Sequence, residues 1–408
     1  MIAEPSATAP GMQPTAARPA EEPALVTTVA PSGRERLLSL DVFRGLTIAG
    51  MLLVNDPGTW SHIYPPLRHA DWHGWTPTDL IFPFFLFIVG ITTWISLESR
   101  RARGADEGEL LRQVLRRGAI IILLGLILNA FPFEPSRIAN LRFTGVLQRI
   151  GLAYMGGALL AFKTSLRQQI AIIATLLLGY FIIMGLVPVP GEQAHPYTLL
   201  DTKDRNLAAW LDRLIIGERH LWVGSKTWDP EGILSTIPAI GTVMLGIVAG
   251  RWIAARQALA ERISGLFAVG SLLMVAGLMW NWSFPINKSL WTSSYVLFTA
   301  GMGAVTLATC MWVIDGHRVT WWTKPFVIYG VNPIIAFVGS GMMARLIYSI
   351  IKVEYNGETV SLQSAIYQSA YASWLPPRLA SLMFALTYVA VWLGILWVLY
   401  RRKIFLKV

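Results

Sequence analysis

Apolar runs alternate with short polar connectors along most of the chain. They lie near residues 38–54, 79–97, 115–131, 145–162, 168–187, 233–254, 263–280, 290–313, 324–347 and 379–400. A helix needs about 20 apolar residues to cross a bilayer, so the pattern predicts about ten spans and an all-α, polytopic transmembrane helix bundle. Residues 1–33, rich in Ala, Pro, Thr and Glu, show no apolar periodicity and read as a disordered cytoplasmic tail. They lack the basic start and apolar core of a signal peptide. Residues 34–408 read as one transmembrane domain with outer loops at 55–78, 188–232 and 348–378. Within the second of these, 206–216 has an amphipathic pattern.

Composition supports this class: 54% of residues are hydrophobic, 14% are charged and the mean hydropathy is +0.51. The net charge of +10 invites a nucleic-acid partner, but the basic residues sit in short loops beside apolar runs, where they set topology. With the N-terminus inside, twenty Lys and Arg fall in inner segments and eleven in outer loops. That bias predicts both termini inside and the 55–78 connector outside. The single cysteine, Cys310, lies in an apolar run and reads as a small buried hydrophobe. No internal repeat is visible, which counts against an inverted-repeat transporter. Gly246 and Gly250 permit close helix contact, more often inside a bundle than between chains.

The 55–78 connector and its flanks hold the densest polar chemistry. Of its three histidines, His62, His69 and His73, we take His69 as the candidate general base; the alternative is an exposed loop imidazole. His69 and His73 have the spacing of a helical metal pair. Pro65-Pro66 and Gly74-Trp75-Thr76-Pro77 break the segment on both sides, and no metal is expected. Asp79 either caps the following helix or orients the imidazole. Asn55 either ends the first span or donates to an oxyanion. Asp41 and Arg44 can satisfy each other as an ion pair. Arg149, Lys288 and the helix-interrupting Asn332-Pro333 point to a polar cavity within the bundle. Trp72, His73 and Trp75 are candidates for holding a polar substrate, although many Trp residues in such a chain mark the interface.

Several stretches resemble the heparan-α-glucosaminide N-acetyltransferase family: Asp41-Val-Phe-Arg-Gly45, His69-Ala-Asp-Trp-His-Gly74, Thr78–Gly90, Gly145-Val-Leu-Gln-Arg-Ile-Gly151, Asp229–Thr236, Pro285-Ile-Asn-Lys-Ser-Leu-Trp291 and Gly330-Val-Asn-Pro333. The resemblance implies that 34–408 is a transmembrane acyltransferase domain. It would move acetyl from cytoplasmic acetyl-CoA to a glucosamine amine across the membrane. It implies His69 as active-site histidine, with Asn55 and Asp79 beside it, and favours a homodimer in a bacterial inner membrane. For the donor we expect Arg44, Arg149, Lys288 and Asn332, and for the sugar Trp72, His73 and Trp75. His73 stands where the lysosomal members carry Asn, and their large luminal N-terminal domain has no match. O-acetylation of an envelope glycan and amino-sugar transport are the competing readings.

Overall fold

The computed structural model describes residues 1, 37–255 and 257–406. The tail expected over 1–33 therefore lies, beyond Met1, outside the described residues. The helices are α1 (Leu38–Asn55), α2 (Ile81–Arg101), α3 (Glu107–Ala130), α4 (Pro135–Ala139), α5 (Val146–Ala161), α6 (Leu166–Leu186), α7 (Pro196–Leu199) and α8 (Leu207–Ile215). There follow α9 (Thr236–Ala254), α10 (Leu259–Trp280), α11 (Ser293–Cys310), α12 (Lys324–Val331), α13 (Pro333–Arg345), α14 (Leu362–Tyr367) and α15 (Pro377–Arg401). A two-stranded antiparallel hairpin, β1 (Lys352–Tyr355) and β2 (Glu358–Ser361), departs from the all-α expectation. It turns through Asn356-Gly357, both with positive φ, the residues that such a turn favours.

Among the described residues eight helical segments are long and apolar enough to cross a membrane. The runs expected at 115–131 and 145–162 are also helical, as α3 and α5, but fall outside that set. α3 carries Glu107, Glu109, Arg112, Arg116 and Arg117 in its first half, and α5 is a shorter apolar helix. α10 shows why the bundle suits lipid. Only 22% of its most apolar window is buried, and Val269, Leu272, Val275 and Met279 lie open on its outer side. Such a row suits hydrocarbon, which needs no polar cover once the helix has satisfied its own backbone.

At the centre are α2, α9 and α11, whose Leu86, Val243, Met244, Ile247, Tyr295 and Val296 are fully buried. Glycine sets the closest crossing. A Cβ on Gly90 would stand 2.1 Å from the Val243 carbonyl oxygen, and one on Gly246 would stand 2.1 Å from that of Phe87. Gly250 similarly faces Ile91. The small pair Gly246/Gly250 is thus used within the chain, against α2, where absent side chains let backbones touch.

These matches also fix direction. Phe87 meets Gly246 and Ile91 meets Gly250, so α2 and α9 run the same way. Arg149 at the start of α5 bonds Ser235 at the start of α9, and Tyr295 near the start of α11 bonds Asp79 just before α2. The first turns of α2, α5, α9 and α11 therefore gather at one end. Helix N-termini favour negative charge, and Asp79, Asp229 and Glu231 sit there.

The break expected at Asn332-Pro333 is real. α12 stops at Val331 and α13 restarts with Pro333 at its first position, where its missing N–H costs nothing. Arg44 Nη1 donates to the Gly330 carbonyl at 3.0 Å. Asn332 is fully buried; it donates to the Ile404 carbonyl and accepts from the Leu406 N–H. Side chains of this protein receive the interrupted backbone.

Candidate active site

The 55–78 connector folds as irregular chain with two short 3-10 turns, Pro65–Leu67 and Pro77–Leu80. Proline opens both, because its fixed φ suits a first helical position. The connector is pinned along its length. Gly58 N–H donates to Ser381, Trp72 Nε1 to the Leu200 carbonyl and Gly74 N–H to the Ile286 carbonyl.

Asp79 is 1% exposed and divides its two oxygens between two tasks. Oδ2 accepts from the N–H groups of Ala70 and Thr76, each at 3.0 Å, and from the Thr76 hydroxyl at 3.2 Å. Oδ1 lies 2.6 Å from His69 Nδ1. Asp79 thus completes a capping box with Thr76 and also contacts the His69 ring. A carboxylate only accepts, so Nδ1 is the donor in this contact, and in the neutral ring Nε2 is the nitrogen with the lone pair. The His69 ring is 44% exposed. A base held by a buried carboxylate, in a ring that is partly exposed, can take a proton from an incoming amine or hydroxyl.

Lys288 joins this pair from the loop before α11. Its Nζ lies 3.1 Å from both ring nitrogens of His69 and 3.8 Å from Asp79 Oδ1. Burial pushes the amine below its usual range, against the opposing charge of Asp79. Next to it, Asn287 Nδ2 stands 3.3 Å from His73 Nδ1, while His73 Nε2 reaches Asp201 Oδ1 at 3.0 Å. His69 and His73 therefore look to different partners. Asn287, Asp201 and Tyr295, whose hydroxyl donates to the Asp79 carbonyl at 2.5 Å, escaped the sequence reading. Only Asn287 had a signal, as the neighbour of Lys288 in a quoted motif.

The remaining candidates divide by place. Asn55 is exposed at the end of α1, and no hydrogen bond ties it to His69 among the described residues. Trp72 packs edge-on to Trp228 at 5.4 Å. Trp75 is 40% exposed and rests on Phe298. Arg149 is 1% exposed; it donates to the Gly232 carbonyl and to Ser235 Oγ, with its guanidinium 5.2 Å above the Trp291 ring. Close by, Arg142 joins Asp229 and Glu231. Burial alone would lower the Arg142 pKa, but those carboxylates hold it above its ordinary value. Asp212, 1% exposed, is pushed up to about 7 by burial, despite the Ile233 N–H it accepts. Arg44 and Asn332 do not join this group. Arg44 precedes Asn55 by about three turns, roughly 16 Å at the α-helical rise. The four residues expected to hold the donor thus split between two ends of the bundle.

Comparison with known proteins bears on this same segment. The family model described as heparan-alpha-glucosaminide N-acetyltransferase, catalytic, matches residues 36–278. The heparan-alpha-glucosaminide N-acetyltransferase of Mus musculus is 27% identical over 424 residues, covering 92% of this chain and 61% of that protein. The Homo sapiens protein of the same name is 29% identical over 423 residues, covering 91% and 60%. The chain thus spans about three fifths of the length of these curated relatives. With the family match running over more than half of the chain and through the His69–Asp79 pair, the chain belongs to the heparan-alpha-glucosaminide N-acetyltransferase catalytic family.

Proposed function

We propose that the protein is a membrane-embedded acetyltransferase. It would move the acetyl group of cytoplasmic acetyl-CoA to the amine of a glucosamine-type sugar on the opposite face of a bacterial inner membrane. The observation that carries this reading is the His69–Asp79 contact of 2.6 Å with Lys288 against the ring. Family membership supplies the reaction class. The acceptor amine attacks the thioester carbonyl and forms the new C–N bond. His69 Nε2 takes the amine proton, and Asp79 holds the resulting imidazolium in place. As the C–S bond breaks, the thiolate leaves and is protonated to CoA–SH. The Lys288 ammonium stands where negative charge develops, first on the carbonyl oxygen and then on sulfur. Asn55 would approach the same oxygen from the end of α1. Trp75, open beside the site, and His73 would face the sugar.

Both termini would lie inside. This agrees with the basic residues Arg100, Arg101 and Arg103 at the end of α2 away from His69. Acetyl transfer from labelled acetyl-CoA to glucosamine, by wild type beside His69→Ala, tests the reading. Transfer should vanish in the variant while acetyl-CoA still binds. Equal transfer in both would remove the histidine from the chemical step. Transfer to N-acetylglucosamine hydroxyls but not to glucosamine would favour O-acetylation. Sugar flux without acetyl-CoA would favour transport.

A further inference from the structure

A second polar site lies at the far end of α2 from His69. Between α2 and the first half of α3 is a cavity of about 340 Å³, within the range of small-molecule sites. Thr93, Ser96 and Arg100 line it from α2, and Gln113, Arg116 and Arg117 line it from α3. None of its described lining residues is acidic. Arg117 is braced from the third side, its guanidinium 5.3 Å above the ring of Tyr154 on α5. Gln113 donates through Nε2 to Glu109, which leaves its buried Oε1 without a partner. The bundle thus presents three guanidinium groups and one orphaned acceptor to a single space. Guanidinium is the side chain best shaped for phosphate oxygens. An orphaned buried carbonyl calls for an N–H, because leaving it unmet forfeits the hydrogen bond it had with water.

Placement adds to composition. Leu86 and Thr93, seven residues apart, share one face of α2, and Asp79 lies in the 3-10 turn that leads into that helix. Asp79 and Thr93 are about 21 Å apart along the axis, a separation comparable with an extended pantetheine arm. We propose that this cavity holds the phosphate groups of the donor thioester. The Arg100, Arg116 and Arg117 guanidiniums would grip its pyrophosphate and 3′-phosphate, and Gln113 Oε1 would accept from an amine or amide N–H of the same molecule. The inference rests on the acetyltransferase reading, and it assigns the donor's anionic half to residues distinct from Arg44, Arg149 and Lys288. Those three are engaged with Asp41 and Gly330, with Gly232 and Ser235, and with His69.

The test compares acetyl-CoA with S-acetylpantetheine, which carries the same thioester and no phosphate, in wild type, Arg116→Ala, Arg117→Ala and Arg112→Ala. Arg112 is exposed and does not line the cavity. The preference for acetyl-CoA, read as a ratio of kcat/KM values, should fall about tenfold or more for each cavity arginine removed. It should hold in Arg112→Ala. Affinity for CoA itself, measured calorimetrically, should fall in parallel. Wild-type ratios and CoA affinities in Arg116→Ala and Arg117→Ala overturn the site. Loss in those variants of binding to phosphatidylglycerol nanodiscs, with CoA affinity unchanged, also overturns it and gives the cavity to a lipid headgroup. CoA affinity that falls as expected, in a protein that transfers acetyl from neither donor, sinks the acetyltransferase reading and leaves the phosphate site standing.

Discussion

At the scale of single residues, the two oxygens of Asp79 carry the most consequence. Oδ2 is spent on Ala70 and Thr76, which fixes the carboxylate so that Oδ1 faces His69, with Lys288 beyond it. Asp79→Asn should keep much of the cap but can hold the imidazole in the wrong tautomer. Acetyl transfer is expected to fall about a hundredfold or more, with the fold retained, as read by kcat and thermal denaturation in parallel. The His69–Asp79 contact was legible in the sequence as one of two alternatives for Asp79, because the histidine lies in a short connector and the carboxylate opens the span that follows it. Lys288 was visible as an expensive cation in an apolar context, but its partner was not, since 219 positions separate it from His69. Asp212 supplies a pH prediction. Its folded pKa of about 7 exceeds the ordinary 3.8, so between those values the folded state holds a proton that the unfolded chain has lost. Stability should therefore fall as pH rises through that window, by a few kcal/mol at most, on the order of 1.4 kcal/mol per unit. Asp212→Asn should flatten this dependence, and thermal unfolding at pH 5 and pH 8 checks it.

At the scale of elements, hydrophobic periodicity located the helices well and their packing poorly. The ten expected runs all fall on helices, because length and apolarity are local properties. The hairpin at 352–361 was hidden in a stretch read only as a sizeable outer loop, although Asn356-Gly357 carries a turn signal. Which glycines bring backbones together depends on the partner helix, and periodicity along one helix holds no record of that. Gly246 makes the point: its missing Cβ leaves room for the Phe87 carbonyl. Gly246→Ala should push α9 from α2 and destabilise the fold by about 1–3 kcal/mol. The drop in melting temperature of the purified variant measures it, and a variant as stable as wild type would contradict the crossing. The same alanine at Gly394, where no atom lies within 4 Å of the added Cβ, serves as a control.

At the scale of the whole molecule, charge and chemistry are arranged about one axis. The first turns of α2, α5, α9 and α11 surround His69 at one end, and the arginines of α2 and α3 stand at the other. In our reading these ends face opposite sides of the membrane. Cys310 is the chain's single cysteine and is buried, so cysteines placed elsewhere report on sidedness without background. In intact cells, Ser61→Cys in the His69 connector should react with a membrane-impermeant maleimide. Ala102→Cys, just past α2, should react only after the cytoplasmic face is opened. The reverse pattern would invert the topology and with it the proposed direction of acetyl transfer. The sequence held this axis only as a count of basic residues per loop. The parallel course of four helices, which builds the site, required the contacts themselves.

The sequence distance between His69 and Lys288 also bears on how the protein comes into being. At ordinary elongation rates of roughly 5–20 residues per second, the ribosome adds Lys288 on the order of 10–40 s after His69. Throughout that interval the imidazole and its carboxylate are made but their ammonium neighbour is not. The site is completed only when the loop before α11 arrives. On the proposed function, a nascent chain caught partway through insertion would be an incomplete catalyst, and acetyl transfer would begin with assembly of the bundle rather than with synthesis of the histidine.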